Sequence, residues 1–203
     1  MSSWPFSFFF FFFFMASSAF SAELAAYVPA EQDALQKHVS FFDRDHDGII
    51  YLSETVEGMI AIGLNPSLAK ASATLIHMVI SPKTTEGKLP NLKLPIVVKN
   101  IAKGKHGSDS GTYDAQGRFV PAKFEEIFSK HAHAHNDSLT SNELMEMLKA
   151  NRQPKDFQGW AASFAEWKVL YDLCKDKDGL LHKETVKAIY DGSLFYQLEE
   201  GKK

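Results

Sequence analysis

A mainly α-helical fold assembled from helix–loop–helix units is what this sequence predicts, and three observations carry the prediction. An acidic twelve-residue stretch, Asp43 to Glu54 (DRDHDGIIYLSE), has apolar residues at helical spacing on both sides. Two later stretches, Ala132 to Glu143 and Cys174 to Thr185, repeat its layout in eroded form. With 203 residues, 45% of them hydrophobic, the chain can bury one good core or two small ones.

Residues 1–26 read either as a signal or anchor, or as an extension the working protein does not need. The run Phe8 to Phe14 makes an apolar centre followed by small residues, as in a secretory signal. No positive residue precedes it, however, and Met15 offers a second start. Secretion would make Asn136 (NDS) the acceptor for an N-glycan. Cys174 is the single cysteine and can form no internal disulfide, which favours a reducing compartment. A net charge of −3 gives no sign of a nucleic-acid partner.

Residues 27–63 form the first unit, an EF-hand. Pro29 is placed to open a helix, and Leu35, Val39 and Phe42 recur along it. The loop then matches D-x-[DN]-x-[DN]-G-x5-E in full. Calcium takes six to eight oxygens, and this loop offers the carboxylates of Asp43, Asp45 and Asp47, the Ile49 carbonyl, a water at Tyr51, and both oxygens of Glu54. Gly48 stands where the chain must turn sharply. The second helix, Thr55 to Ile62, stops at Gly63.

Residues 64–98 are an amphipathic, proline-containing segment. It is too polar to span a membrane, since Pro66 and Lys70 interrupt it. Lys70, Thr74, His77 and Ser81 make one polar stripe, with Leu68, Leu75, Ile76, Met78, Val79 and Ile80 around it, so the helix either lies in a membrane interface or packs on a core. His77 belongs to the stripe and is no ligand candidate. Lys88, Lys93, Lys99, Lys103 and Lys105 follow, a basic run able to touch lipid head groups or simply face solvent.

Residues 99–197 hold the remaining helices and the two eroded loops. Ala132 to Glu143 keeps Leu139 and Glu143 but has alanines at its first and third positions; Cys174 to Thr185 keeps Asp176, Asp178 and Gly179 but has lost both ends. Neither has the donors for tight calcium binding, yet both can keep the helix–loop–helix shape. The expected pairing joins Ile50 to Leu139, with about residues 64–120 inserted between the paired units. Thr140 to Glu143 (TSNE) is a capping box for the next helix. His131, His133 and His135 read as a solvated helix end rather than a zinc site, which needs more ligands. Phe157, Trp160, Phe164, Trp167 and Tyr171 form an aromatic stripe fit for a core, a membrane belt or a lipid channel. Residues 198–203 are a polar tail.

Taken together, LQKHVSFFDRDHDGIIY, KHGSDSGTYDAQGRFVPAKFEEIFSKH, GWAASFAEWKVLYDL and YDGSLF resemble the caleosins, the plant and fungal calcium-binding peroxygenases of lipid droplets and endoplasmic reticulum. The resemblance spans about residues 27–197, in the family's order. It implies a haem pocket in a single domain and an enzyme using haem b and Ca2+. Oxygen would pass from a fatty-acid hydroperoxide to an unsaturated lipid or another acceptor. The family's haem histidines match His38 and His106. His38 lies on the apolar side of its helix and takes the role of axial ligand; His106, the second haem-side histidine, takes that of a displaceable or acid–base group. Calcium then has a structural role, in which it fixes the loop, the loop fixes the helix before it, and that helix carries His38. Pro82, Pro90 and Pro95 are too widely spaced for the family's proline knot, so peripheral rather than deep attachment to a droplet or reticulum surface is expected. The alternatives are a non-catalytic calcium-binding protein of those surfaces and a secreted calcium buffer.

Overall fold

A computed structural model describes residues 33–86 and 92–202; the expectations for residues 1–26, Pro29 and Pro90 lie outside them. The chain is mainly helical, as expected. Helix α1 (Ala34–Ser40) enters the acidic loop, strand β1 (Ile49–Ile50) crosses it, and α2 (Leu52–Ala61) leaves it. Gly63, at φ +112°, ends that helix at the position expected for the stop. Helix α3 (Pro66–Thr84) then starts on a cap in which the Asn65 side chain accepts from the Leu68 N–H at 2.9 Å, with Pro66 at the first helical position.

Strand pairing corrects the expected partner of the acidic loop. Strand β1 pairs antiparallel with β2 (Ile96–Val97), Ile50 opposite Ile96, whereas β3 (Ser138–Leu139) pairs with β4 (Leu181–His182), Leu139 opposite Leu181. The two eroded loops are thus each other's partners. The segment from α3 to the 3-10 helix over Val98–Gly104 is no insertion between paired units, because it is itself the partner of the first one. What pairs the loops is a branched apolar residue, and Ile50, Ile96 and Val98 close one cluster with Leu35 and Ile101.

Helix α3 also turns a different face inward from the one expected. Ala69, Ala73, His77, Ser81 and Thr84 are its buried residues, while Leu75 and Met78 are 64% and 57% exposed. The small residues allow α3 to lie close against α2. His77 is fully buried: its Nε2 lies 2.8 Å from Thr55 Oγ1 and its Nδ1 2.7 Å from the Leu94 carbonyl, so it ties α2, α3 and the approach to β2 together.

The second half runs through α4 (Pro121–His131), α5 (Ser141–Ala150), α6 (Phe157–Cys174), α7 (Lys183–Asp191) and α8 (Ser193–Glu200). Phe124, Phe128, Leu139, Met147, Trp167 and Leu181 lie in its core. The aromatic stripe on α6 divides along the helix, Trp167 and Tyr171 entering this core while Phe157 and Phe164 stay at the surface. Chain expected to be polar tail is partly helix: α8 runs to Glu200, Leu198 packs on the core, and Glu199 accepts from Arg44 Nη2 at 2.9 Å. Among the described residues no helix is long and apolar enough to cross a membrane.

Candidate functional site

The acidic loop is folded by its own carboxylates. Asp43, almost wholly buried, accepts from the Asp47 N–H at 3.1 Å and the Gly48 N–H at 2.9 Å; Asp47 accepts from the Ile49 N–H at 2.7 Å. Gly48 and His46 both adopt positive φ, +84° and +59°, which turns the chain tightly enough to gather the acids. Carboxylate oxygens of Asp43, Asp45 and Asp47 come within 4.8 Å of one another. Glu54 reaches back over the loop, accepting from the Arg44 N–H at 2.9 Å and, through its other oxygen, from the Tyr51 N–H at 2.7 Å. Burial raises the Asp43 and Glu54 carboxyls above their ordinary values, against the pull of these N–H groups. A divalent cation reverses that cost, and an all-oxygen donor set suits a hard one.

The eroded loops fill the same place with hydrogen bonds. Glu143 accepts from the N–H groups of His133, Ala134 and Thr140, each at 2.7 Å, and from the Thr140 hydroxyl at 2.8 Å. These are the loop positions that Arg44, Asp45 and Tyr51 hold around Glu54. Although burial works against it, this set holds Glu143 at about 2. In the third loop His182, at the position that Tyr51 holds in the first, has its Nε2 2.8 Å from Asp176 Oδ2. In the histidine triplet, expected as a solvated helix end, His131 is buried, and His131 and His133 both reach Glu146.

His38 sits on α1, five residues before the loop. Its Nδ1 lies 2.6 Å from the carbonyl oxygen of Ile189, in the last turn of α7. A carbonyl only accepts, so Nδ1 carries the proton and Nε2 keeps a free lone pair. Phe195 of α8 packs edge-on at 5.0 Å and Tyr113 at 6.3 Å. Burial lowers the pKa, while Ile189 and Asp191 pull it up, so the ring is neutral near pH 7. Gly192, at φ +80° between α7 and α8, lets that elbow press on α1: a Cβ there would stand 2.7 Å from the Lys37 oxygen and 2.9 Å from His38 Cα.

His106 lies in a different neighbourhood. Its Nε2 is 3.4 Å from Ser163 Oγ on α6, and its Nδ1 is buried without a hydrogen-bond partner. Burial lowers its pKa; Asp109 and Asp156 raise it, and Lys83 and Lys105 oppose them. The two histidines thus have separate polar partners, Ile189 for His38 and Ser163 for His106. On the His38 side, the Tyr113 hydroxyl donates to the Tyr190 carbonyl, and the Tyr190 hydroxyl lies 2.7 Å from Ser110 Oγ. Sequence reasoning passed over Tyr113, Ser163, Ile189, Tyr190, Gly192 and Phe195 as individuals. The motif YDGSLF, which carried only resemblance, holds three of them.

A neutral imidazole on His38, with one nitrogen anchored and the other free, is donor chemistry that fits a porphyrin iron, while the buried Nδ1 of His106 is left without a partner. Two clefts, one lined by Phe128, Ala132 and Lys183 and one along α7 and α8, include neither histidine. Comparison with known proteins gives a consistent picture. The family of caleosin related proteins matches residues 30–199. A probable peroxygenase 4 of Arabidopsis thaliana is 57% identical over 174 residues, covering 86% of this chain and 89% of that protein. A peroxygenase of Lilium longiflorum is 48% identical over 166 residues, covering 82% and 70%. A probable inactive peroxygenase-like protein of Arabidopsis thaliana is 44% identical over 144 residues, covering 71% and 69%. No solved structure matches.

Proposed function

The chain belongs to the caleosin family, and from that premise we propose that it is a peroxygenase in which a calcium loop steadies the histidine that holds haem b. The observation that carries the reading is the hydrogen bond between His38 Nδ1 and the Ile189 carbonyl. It fixes the ring and its tautomer and leaves Nε2 as the atom that would hold the iron of a bound haem.

Haem, when bound, supplies the iron at which the hydroperoxide O–O bond is cleaved and one oxygen passes to the acceptor. The chain handles the proton. His106 accepts it from the hydroperoxide O–H and returns it to the alkoxide oxygen, so ROOH leaves as ROH while the acceptor gains one oxygen. A neutral imidazole is the form able to begin this, and burial keeps His106 neutral.

Asp43, Asp45, Asp47, the Ile49 carbonyl, a water at Tyr51 and Glu54 hold Ca2+. Two routes lead from the loop to His38. One runs back along α1. The other passes through Arg44, whose guanidinium lies 2.9 Å from Glu199, to α8 and the Phe195 ring against the imidazole. Substrates are a fatty-acid hydroperoxide and an unsaturated lipid. The outer face of α3, with Leu68, Leu75 and Met78, brings the protein to a reticulum or droplet surface without crossing it.

A non-catalytic calcium-binding protein of the same surfaces is the competing reading, given that one relative is named inactive. Labelled oxygen separates them. The haem-reconstituted protein is given a fatty-acid hydroperoxide carrying 18O in both peroxide atoms, with an unsaturated lipid, in ordinary water. Epoxide carrying 18O is the expected product; no epoxide, or epoxide without label, contradicts the peroxygenase reading.

A further inference from the structure

Resting on the peroxygenase reading, we infer that Ser163 fixes His106 in the tautomer whose Nδ1 carries the lone pair, with Ser108 and Asp156 as the clasp that holds Ser163's partner in place.

A serine hydroxyl has one proton, and Ser163 donates it to the Ser108 carbonyl at 3.0 Å. Toward His106 its oxygen therefore presents only lone pairs. The nitrogen facing it, Nε2 at 3.4 Å, must carry the imidazole proton, which leaves Nδ1 as acceptor. The opposite tautomer would set two lone pairs against each other and bury an Nδ1–H with no acceptor.

The Ser108 carbonyl is held rigidly enough to enforce this choice. Asp156 Oδ2 accepts from both the Ser108 N–H, at 2.9 Å, and the Ser108 hydroxyl, at 2.6 Å. Ser108 Oγ in turn accepts from the Gln153 N–H at 3.1 Å. Asp156 also caps α6, its Oδ1 accepting from the Gly159 N–H at 3.0 Å, so one carboxylate fixes both the loop carrying His106 and the helix carrying Ser163. Nδ1, buried and unpartnered, is then the nitrogen free to take a proton from the hydroperoxide. Ser163 and Asp156 touch no reacting atom and act through His106, as positioning residues.

The test reads the tautomer directly. Full-length, calcium-loaded chain with 15N-histidine is studied before haem is added, by long-range 1H–15N correlation, with His106→Gln assigning the ring. His106 is expected as the Nε2–H tautomer in the wild type and in Ser163→Thr, and as a mixture in Ser163→Ala and Asp156→Asn. An Nδ1–H tautomer in the wild type overturns the inference, whatever the variants do; so does a Ser163→Ala spectrum with the wild-type tautomer. In the reconstituted enzyme Ser163→Ala should lower kcat about tenfold at unchanged KM, a part of the general acid–base contribution, and threonine should restore it. A KM rise at constant kcat overturns the positioning role. Should the wild type transfer no oxygen while the tautomer is as expected, the peroxygenase reading fails and the Ser163 lock stands.

Discussion

Replacing Gly192 by alanine tests whether the elbow between α7 and α8 holds His38 in place. At φ +80° a Cβ costs about 1–2 kcal/mol. That Cβ would also meet the Lys37 oxygen at 2.7 Å and His38 Cα at 2.9 Å. Both are backbone atoms of α1, so no flexible side chain can swing aside, and overpacking of this kind costs about 1–3 kcal/mol. The two contributions together, about 2–5 kcal/mol, are a large share of the roughly 5–15 kcal/mol by which a domain is stable. At about 2–4 °C per kcal/mol for a chain of this size, Tm should fall by about 4–20 °C. Asparagine tolerates the left-handed region but keeps the contact, so Gly192→Asn should also be destabilised, by less. Circular dichroism gives Tm, and haem titration shows whether the shift of α1 weakens cofactor binding. A Gly192→Ala protein with Tm within about 1 °C of the wild type and equal haem affinity would refute the close approach and its role.

Glu143, held near 2 against an ordinary 4.5, lends stability that is complete above about pH 4.5 and lost as pH falls toward 2; Glu143→Gln should flatten that acid limb in urea unfolding between pH 6 and 3. His77 is buried as a neutral ring with a lowered pKa, so its contribution is present above its ordinary 6.5 and declines as acid protonates it. His77→Leu, which leaves Thr55 Oγ1 and the Leu94 carbonyl unpaired, should cost about 2–4 kcal/mol at pH 8 and lose the acid-dependent decline near pH 6. Calcium at a hundred times its Kd should add about 2.7 kcal/mol of stability, a gain removed by a chelator and by Asp43→Ala but retained in Glu143→Gln. Loss of the gain in Glu143→Gln would mean that the second loop, too, holds the ion.

The acidic loop was legible because its chemistry leaves a strict pattern, and the TSNE cap because a capping box is local. Both concern residues a few positions apart. The partner of Ile50 was not legible for the opposite reason. Pairing rests on one branched residue per loop, and Ile96 sits among prolines and lysines that resemble no calcium loop, whereas Leu139 sits in a loop that does. The inward face of α3 was misjudged because periodicity counts apolar bulk. Close packing on α2 needs small residues, so Ala69 and Ala73 are inside with His77, and Leu75 and Met78 are outside. His38 is nominated by the family motif, but its contacts are tertiary: the carbonyl of Ile189 and the ring of Phe195 lie more than 150 residues along the chain. No local pattern carries such a contact. Ser163 was hidden for the same reason, as a small residue in an aromatic stripe.

Absorption spectra of the calcium-loaded, haem-reconstituted wild type, His38→Ala and His106→Ala test the central claim most directly. A Soret band in the wild type and in His106→Ala, and its loss in a folded His38→Ala, is the predicted result. A folded wild type that stays colourless, or a His38→Ala protein that keeps the wild-type band, would contradict it.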